Sequence, residues 1–202
     1  MPKLEYTRLN ADDPEAVMQY ERALFRAFYP MDDPLLARIR QADVVLKRMR
    51  LCIPYRDMDV FVARFDGTII AGAAINYNCG APLQLERIGF TIDKTRPGIC
   101  EGLAIFNTRS FAGNHPVMFE LGATIHKELK RKKIRVTYGT CSSRLLKGYC
   151  LLGFREIACR QLTSSTIHLL EKEVGTEADG FTIEAGRPLR DEPFRIHPDT
   201  GE

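Results

Sequence analysis

Two residues, Asp66-Gly67, separate the apolar run Val60–Phe65 from the apolar run Thr68–Ile75. Both positions of such a pair tolerate positive φ, so the segment predicts an antiparallel hairpin with a tight turn. Further along, Ile99–Phe106 reads as an apolar strand interrupted by Glu101, and Pro116 opens a long helix with Val117, Met118, Leu121, Ile125 and Leu129 on one face. Ile134–Tyr138 follows as a strand, and a strand–helix–strand unit demands a parallel crossover. A chain holding both features folds into a mixed sheet, and the remaining segments extend it. Leu4–Leu9 alternates as a strand, and Asp13-Pro14 starts a helix carrying Val17, Tyr20, Leu24 and Phe28. Asp33-Pro34 starts another, expected to run to about Arg50. Residues 78–98 form an irregular insert in which Leu85–Ile92 looks extended. Ser142–Leu152 is expected as a helix, with strands at Phe154–Cys159 and Gln161–Leu170. The expected class is α/β (α+β): one twisted, mostly antiparallel mixed sheet with helices on both faces.

A chain of 202 residues, 45% hydrophobic and 27% charged, suits one globular domain and is neither disordered nor fibrous. Uncharged apolar stretches such as Ile69–Ile75 are far below the roughly 18 residues of a membrane span, and Met1–Tyr6 lacks a signal-peptide core. A cytoplasmic location is expected. The six cysteines (52, 79, 100, 141, 150, 159) and four histidines (115, 126, 168, 197) never occur as close ligand pairs, so no metal is expected and the cysteines read as reduced and mostly buried. The net charge of +3 is divided: +8 over the first 170 residues and −5 over the rest. Residues 1–170 are therefore expected to form the domain and 171–202 an acidic, loosely held tail. A cationic stretch, Lys127, Lys130, Arg131, Lys132, Lys133 and Arg135, is either a solvated helix end or a dock for an anionic partner. Without interleaved aromatics it does not read as a nucleic-acid surface.

The element order, together with Tyr149, three residues, and Gly153-Phe154 leading into a strand, resembles the GNAT superfamily of N-acetyltransferases over roughly residues 4–170. The resemblance implies an acyltransferase that moves an acyl group from a thioester to a small-molecule amine by direct attack. It implies that the Tyr149 hydroxyl protonates the departing thiolate, whereas packing alone would make Tyr149 a core residue. It also places the donor along the strand bearing Ala104, Ile105 and Asn107. Its phosphates then rest on the turn before the next helix, here Arg109, Gly113 and Asn114, with Ser142, equally good as a helix N-cap, at a position often asparagine. That turn departs from the family's pattern, because one glycine is kept, a place late, and Pro116 removes an amide. Pro82-Leu83-Gln84-Leu85-Glu86 followed by Glu101 is loosely similar to the branch of autoinducer and N-acyl amino acid synthases, though the arginine that follows the strand glutamate is missing. The implied co-substrate is acyl-CoA or an acyl carrier protein thioester, without metal. Glu101 is a second catalytic candidate: facing the cleft it would take the amine's proton, and facing water it would be a surface carboxylate. The competing reading is a catalytically idle module of the same fold.

Overall fold

The computed structural model describes residues 3–30, 33–108, 117–163 and 165–175. Arg109, Gly113 and Asn114, the expected phosphate turn, and the acidic segment from 176 onward lie outside the described residues. A seven-stranded sheet runs β1-β4-β5-β6-β7-β9-β8, formed by Leu4–Arg8, Met58–Phe65, Thr68–Asn76, Ile99–Asn107, Val136–Ser142, Thr166–Glu173 and Arg155–Gln161 in that order. Its neighbours are antiparallel except β6 and β7, the pair joined by the crossover helix α4 (Val117–Arg131). The Asp66-Gly67 turn takes φ of 47° and 77°, as a two-residue hairpin loop requires.

Alternation along β4 divides the core. Met58, Val60 and Val62 pack with Tyr20, Ala23 and Leu24 of α1 (Pro14–Phe28), while Phe61 and Ala63 pack with Val117, Leu121 and Leu129 of α4. Helix α1 starts where Asp13 Oδ1 accepts from the amides of Glu15 (2.9 Å) and Ala16 (3.2 Å). Its one buried charge, Glu21, is paired with Arg48 and Arg50 and accepts from Tyr55. Gly72 on β5 leaves room for Phe106, since a Cβ there would lie 2.8 Å from the ring.

Three expectations are corrected. The helix expected from Pro34 to Arg50 is a single turn, α2 (Pro34–Ala37), followed by a hairpin of β2 (Arg40–Asp43) and β3 (Arg48–Leu51). Burial there has period two, with Met49 and Leu51 enclosed, while Asp43 Oδ1 accepts from Leu46 N at 2.9 Å and turns Val44–Leu46 out into water. The segment expected as extended near Leu85 contains the helical turn α3 (Gln84–Arg87), and Leu83, Leu85, Ile88, Phe90 and Ile92 are all buried against β6, β7 and β9. The last strand does not end at Leu170. It runs to Glu173, with Glu171 buried between Arg96 and Arg155, and Val174 N donates to Arg135 O at 2.8 Å. No helix of the described residues is long and apolar enough to cross a membrane.

Candidate active site

Strands β6 and β7 pair only where Ile99–Glu101 lie beside Val136–Tyr138. Beyond that point β6 runs on to Asn107 and β7 to Ser142 with no pairing between them, each still held by its other neighbour. Two parallel strands that separate within a sheet open a cleft with rigid walls. The cause on the β6 side is a bulge: Gly72 pairs with Phe106 but Ala74 with Leu103, so Ala104 and Ile105 together oppose one residue. Ala104 takes φ of 43°, a strained value for a side chain bearing a Cβ. Both residues were expected along the donor, and the bulge falls at that stretch of β6. Asn107, at the end of β6, has an enclosed Oδ1 with no hydrogen-bond partner among the described residues.

Tyr149 stands on α5 (Ser143–Leu151), the helix that follows β7. Its ring meets Phe154 edge-on with centroids 5.4 Å apart, and Gly153, at φ 83°, makes the turn that returns the chain to the ring. Burial pushes the phenol up to about 12, with the Cys141 thiol adding to the rise and the Arg40 guanidinium opposing it. The hydroxyl therefore carries its proton at neutral pH. Ser142 occupies the N-cap position by its backbone, but its side chain makes no capping bond. Cys141 is buried and its thiol is pushed up to about 11, chiefly by burial, which makes it inert as a nucleophile. The cysteines divide evenly among buried (Cys100, Cys141), half-buried (Cys52, Cys79) and exposed (Cys150, Cys159).

Glu101 lies neither at an open cleft wall nor at the surface. Its exposure is 0%, Oε1 accepts from Leu85 N at 2.7 Å, and Oε2 accepts from Gln84 N and Asn76 Nδ2, both at 3.1 Å. Burial pushes its carboxyl above the usual carboxylate range against the pull of those three donors. Both oxygens are thus engaged in holding the first turn of α3 onto β6.

Two groupings had no signal in the sequence pattern. Arg40, expected on a helix, opens β2 with its guanidinium carbon 3.8 Å above the centroid of Phe28, whose ring meets Phe106 at 6.2 Å. Tyr20 completes this wall, 6.1 Å from Phe106 and 6.3 Å from Tyr55. Separately, Ser143 Oγ lies 2.9 Å from His168 Nε2, and His168 Nδ1 lies 2.7 Å from Glu156 Oε1. The order serine–histidine–carboxylate has the form of a nucleophilic relay, but it sits over the edge strand β8, every residue of which is exposed. It ties the start of α5 to β8 and β9.

No family model matches the sequence, and no curated protein matches it either. Solved structures do match. The CoA-dependent acyl-homoserine lactone synthase BjaI, in a structure with SAM and isopentyl-CoA, superposes with a TM-score of 0.66 at 13% identity, covering 86% of this chain and 84% of that one. FeeM, an N-acyl amino acid synthase from uncultured soil microbes, gives 0.57 at 11%, covering 86% and 92%. A protein of Desulfovibrio desulfuricans assigned to the GNAT family gives 0.58 at 11%, covering 86% and 100%. The chain has the GNAT fold, in the form shared by acetyltransferases and acyl-transferring synthases.

Proposed function

We propose that the protein transfers an acyl group from an acyl thioester to a small amine. The observation that supports this reading is the parting of β6 and β7 beside the bulge on β6, together with a protonated, half-buried phenol, Tyr149, on the helix that follows β7. The thioester lies along β6 at Ala104, Ile105 and Asn107, whose enclosed Oδ1 accepts an N–H from the donor. Backbone amides of β6 beside the cleft polarise the carbonyl, the neutral amine attacks it, and a tetrahedral intermediate forms with negative charge on oxygen. As the carbon–sulfur bond breaks, Tyr149 gives its proton to the thiolate. The nitrogen's surplus proton leaves to solvent and the phenolate is reprotonated, so the products are an N-acyl amine and a free thiol. Glu101 serves as a positioning residue, anchoring α3 beside the cleft.

The donor is an acyl group on coenzyme A or on an acyl carrier protein, and the cationic end of α4 supports either. Within that patch Arg131 is committed to Glu128 (2.6 and 2.7 Å), and Lys132 to Asp59 (3.2 Å) and the face of Tyr77 (4.2 Å). Lys127, Lys130, Lys133 and Arg135 are exposed. Thermal unfolding with acyl-CoA or with acyl carrier protein tests the reading, because a ligand that binds only the folded chain raises its melting temperature. Reversing Lys127, Lys130 and Lys133 to Glu is expected to weaken that donor on the order of tenfold at low salt, with the difference shrinking as salt is added. No stabilisation by either donor counts against the reading, and stabilisation indifferent to the reversal leaves the patch a solvated helix end.

A further inference from the structure

Loops that turn a chain in water are ordinarily polar, and the loop at the free end of the β2–β3 hairpin is not. Val44, Val45 and Leu46, followed by Lys47, make the turn, and the three apolar side chains are 55%, 90% and 54% exposed. Single exposed apolar side chains are common on any protein, but a contiguous run on a protruding turn marks a contact surface. The loop is also held in shape. Asp43 Oδ1 accepts from Leu46 N at 2.9 Å, Lys47 closes the turn at φ 50°, and Met49 and Leu51 anchor the returning strand in the core. The hairpin is a two-stranded sheet of its own, separate from the seven-stranded one.

Cations stand beside this apolar tip. An open groove of about 590 Å³ separates it from α1, with Val45, Leu46 and Lys47 on one wall and Arg22, Arg26 and Tyr29 on the other. Arg22 and Arg26 share a face of α1 at a spacing of one helical turn. Both are exposed, as is Lys47, and none of the three makes an ion pair among the described residues. The buried carboxylate of the same helix, Glu21, is taken by Arg48 and Arg50. Tyr29, 42% exposed, stacks on Phe25 with centroids 4.4 Å apart. A tyrosine with its ring half-covered and its hydroxyl in water suits the boundary between an apolar and a wet layer.

The partner that fits is apolar inside and anionic at its face. A second copy of this chain does not fit, because the same patch face to face sets Arg22, Arg26 and Lys47 against like charges. A small soluble anion would meet the cations and leave the three apolar side chains in water. An acidic protein would need a pocket shaped for the tip, whereas a bilayer admits a convex tip without one. An anionic bilayer answers both halves: the apolar side chains enter the boundary of the acyl chains while the cations meet lipid phosphates. We infer that Val44–Leu46 insert into an anionic membrane surface, with Arg22, Arg26 and Lys47 on its headgroups. Attachment of this size is reversible, since a short apolar insertion or a few cations alone is marginal and the two act together. The inference goes beyond the acyl-transfer reading and does not depend on it.

The chain contains no tryptophan, so Val45→Trp puts a lone indole at the tip, and Ile157→Trp puts one on the exposed edge strand β8 as a control. Vesicles are made of phosphatidylcholine alone or of equal parts phosphatidylcholine and phosphatidylglycerol. With the anionic vesicles, emission from Val45→Trp is expected to move to shorter wavelength while that from Ile157→Trp stays in place, and phosphatidylcholine alone is expected to move neither. Co-sedimentation of the full chain with vesicles gives the partition coefficient. Replacing Val44, Val45 and Leu46 together by Ser is expected to lower it on the order of 10²-fold. Arg22→Gln with Lys47→Gln is expected to lower it roughly fivefold for each cation at low salt, an effect that shrinks as salt is added. These side chains are exposed, so the variants should keep the melting temperature of the wild type. No co-sedimentation of the wild type with anionic vesicles overturns the inference. So does co-sedimentation in which Val45→Trp keeps the emission of an indole in water, because another face then binds. Equal affinity for the two kinds of vesicle overturns the part given to the cations. Binding of an acidic protein, or a dimer that the serine variant dissociates, in either case without vesicle binding, gives the tip another occupant and overturns the inference too.

Discussion

Tyr149→Phe is expected to reduce turnover about 10²- to 10⁴-fold while leaving folding and donor affinity nearly unchanged. The substitution keeps the ring that packs edge-on against Phe154 and removes only the hydroxyl. Because that phenol is held up to about 12 by burial, it is protonated throughout the neutral range. A thiolate leaving without its proton forms as an uncompensated anion, which raises the barrier to breaking the carbon–sulfur bond. The loss should therefore fall on kcat and on kcat/KM alike, and KM for the thioester should stay close to the wild-type value. Turnover per folded molecule equal to the wild type would reduce Tyr149 to a core side chain.

Glu101→Ala is expected to cost about 3–5 kcal/mol of stability, the scale seen when a buried charge network loses one partner. Three donors, the amides of Gln84 and Leu85 and Nδ2 of Asn76, would be stranded without an acceptor. The turn they anchor carries Leu83, Leu85 and Ile88 into the core. Glu101→Gln keeps one acceptor oxygen and should cost less, roughly 1–3 kcal/mol. The two carboxyl states also give a pH signature. Burial raises the folded-state pKa above that of the unfolded chain, so the folded state binds this proton more tightly. Stability from this group is then greatest below the ordinary glutamate range, falls as pH rises through the raised folded value, and is constant above it. The difference in urea midpoint between the wild type and Glu101→Gln should change with pH in that window, and parallel curves would refute the assignment. Turnover per folded molecule separates anchor from base: an anchor leaves it largely intact in Glu101→Gln, whereas a base loses it.

Much of the frame was legible because its signals are local. Asp66-Gly67 determines its own turn through φ alone, and Tyr149 with Gly153-Phe154 closes a contact within six residues. What sequence reading missed depends on distant partners. Leu35, Leu36 and Ile39 continue a helical spacing toward Met49, but Ile39 and Met49 are buried in separate clusters and the segment turns at Asp43. The stacking of Arg40 on Phe28 was not legible for the same reason: the ring is supplied by α1. The turn at α3 has one local cap, Glu86 Oε2 accepting from Leu83 N at 2.7 Å, while the amides of Gln84 and Leu85 are capped by Glu101, seventeen and sixteen residues away. An apolar strand interrupted by a carboxylate flagged Glu101 as unusual, and only the fold shows which groups it serves.

The most direct test of acyl transfer is the release of free thiol from an acyl thioester, measured with purified protein in the presence and absence of an amine, with the mass of the acylated product read from the same sample. Transfer by direct attack predicts thiol release that needs both protein and amine, matched mole for mole by an N-acyl product and strongly reduced in Tyr149→Phe. Donor binding without thiol release for any amine would contradict it and leave a binding module built on the same cleft.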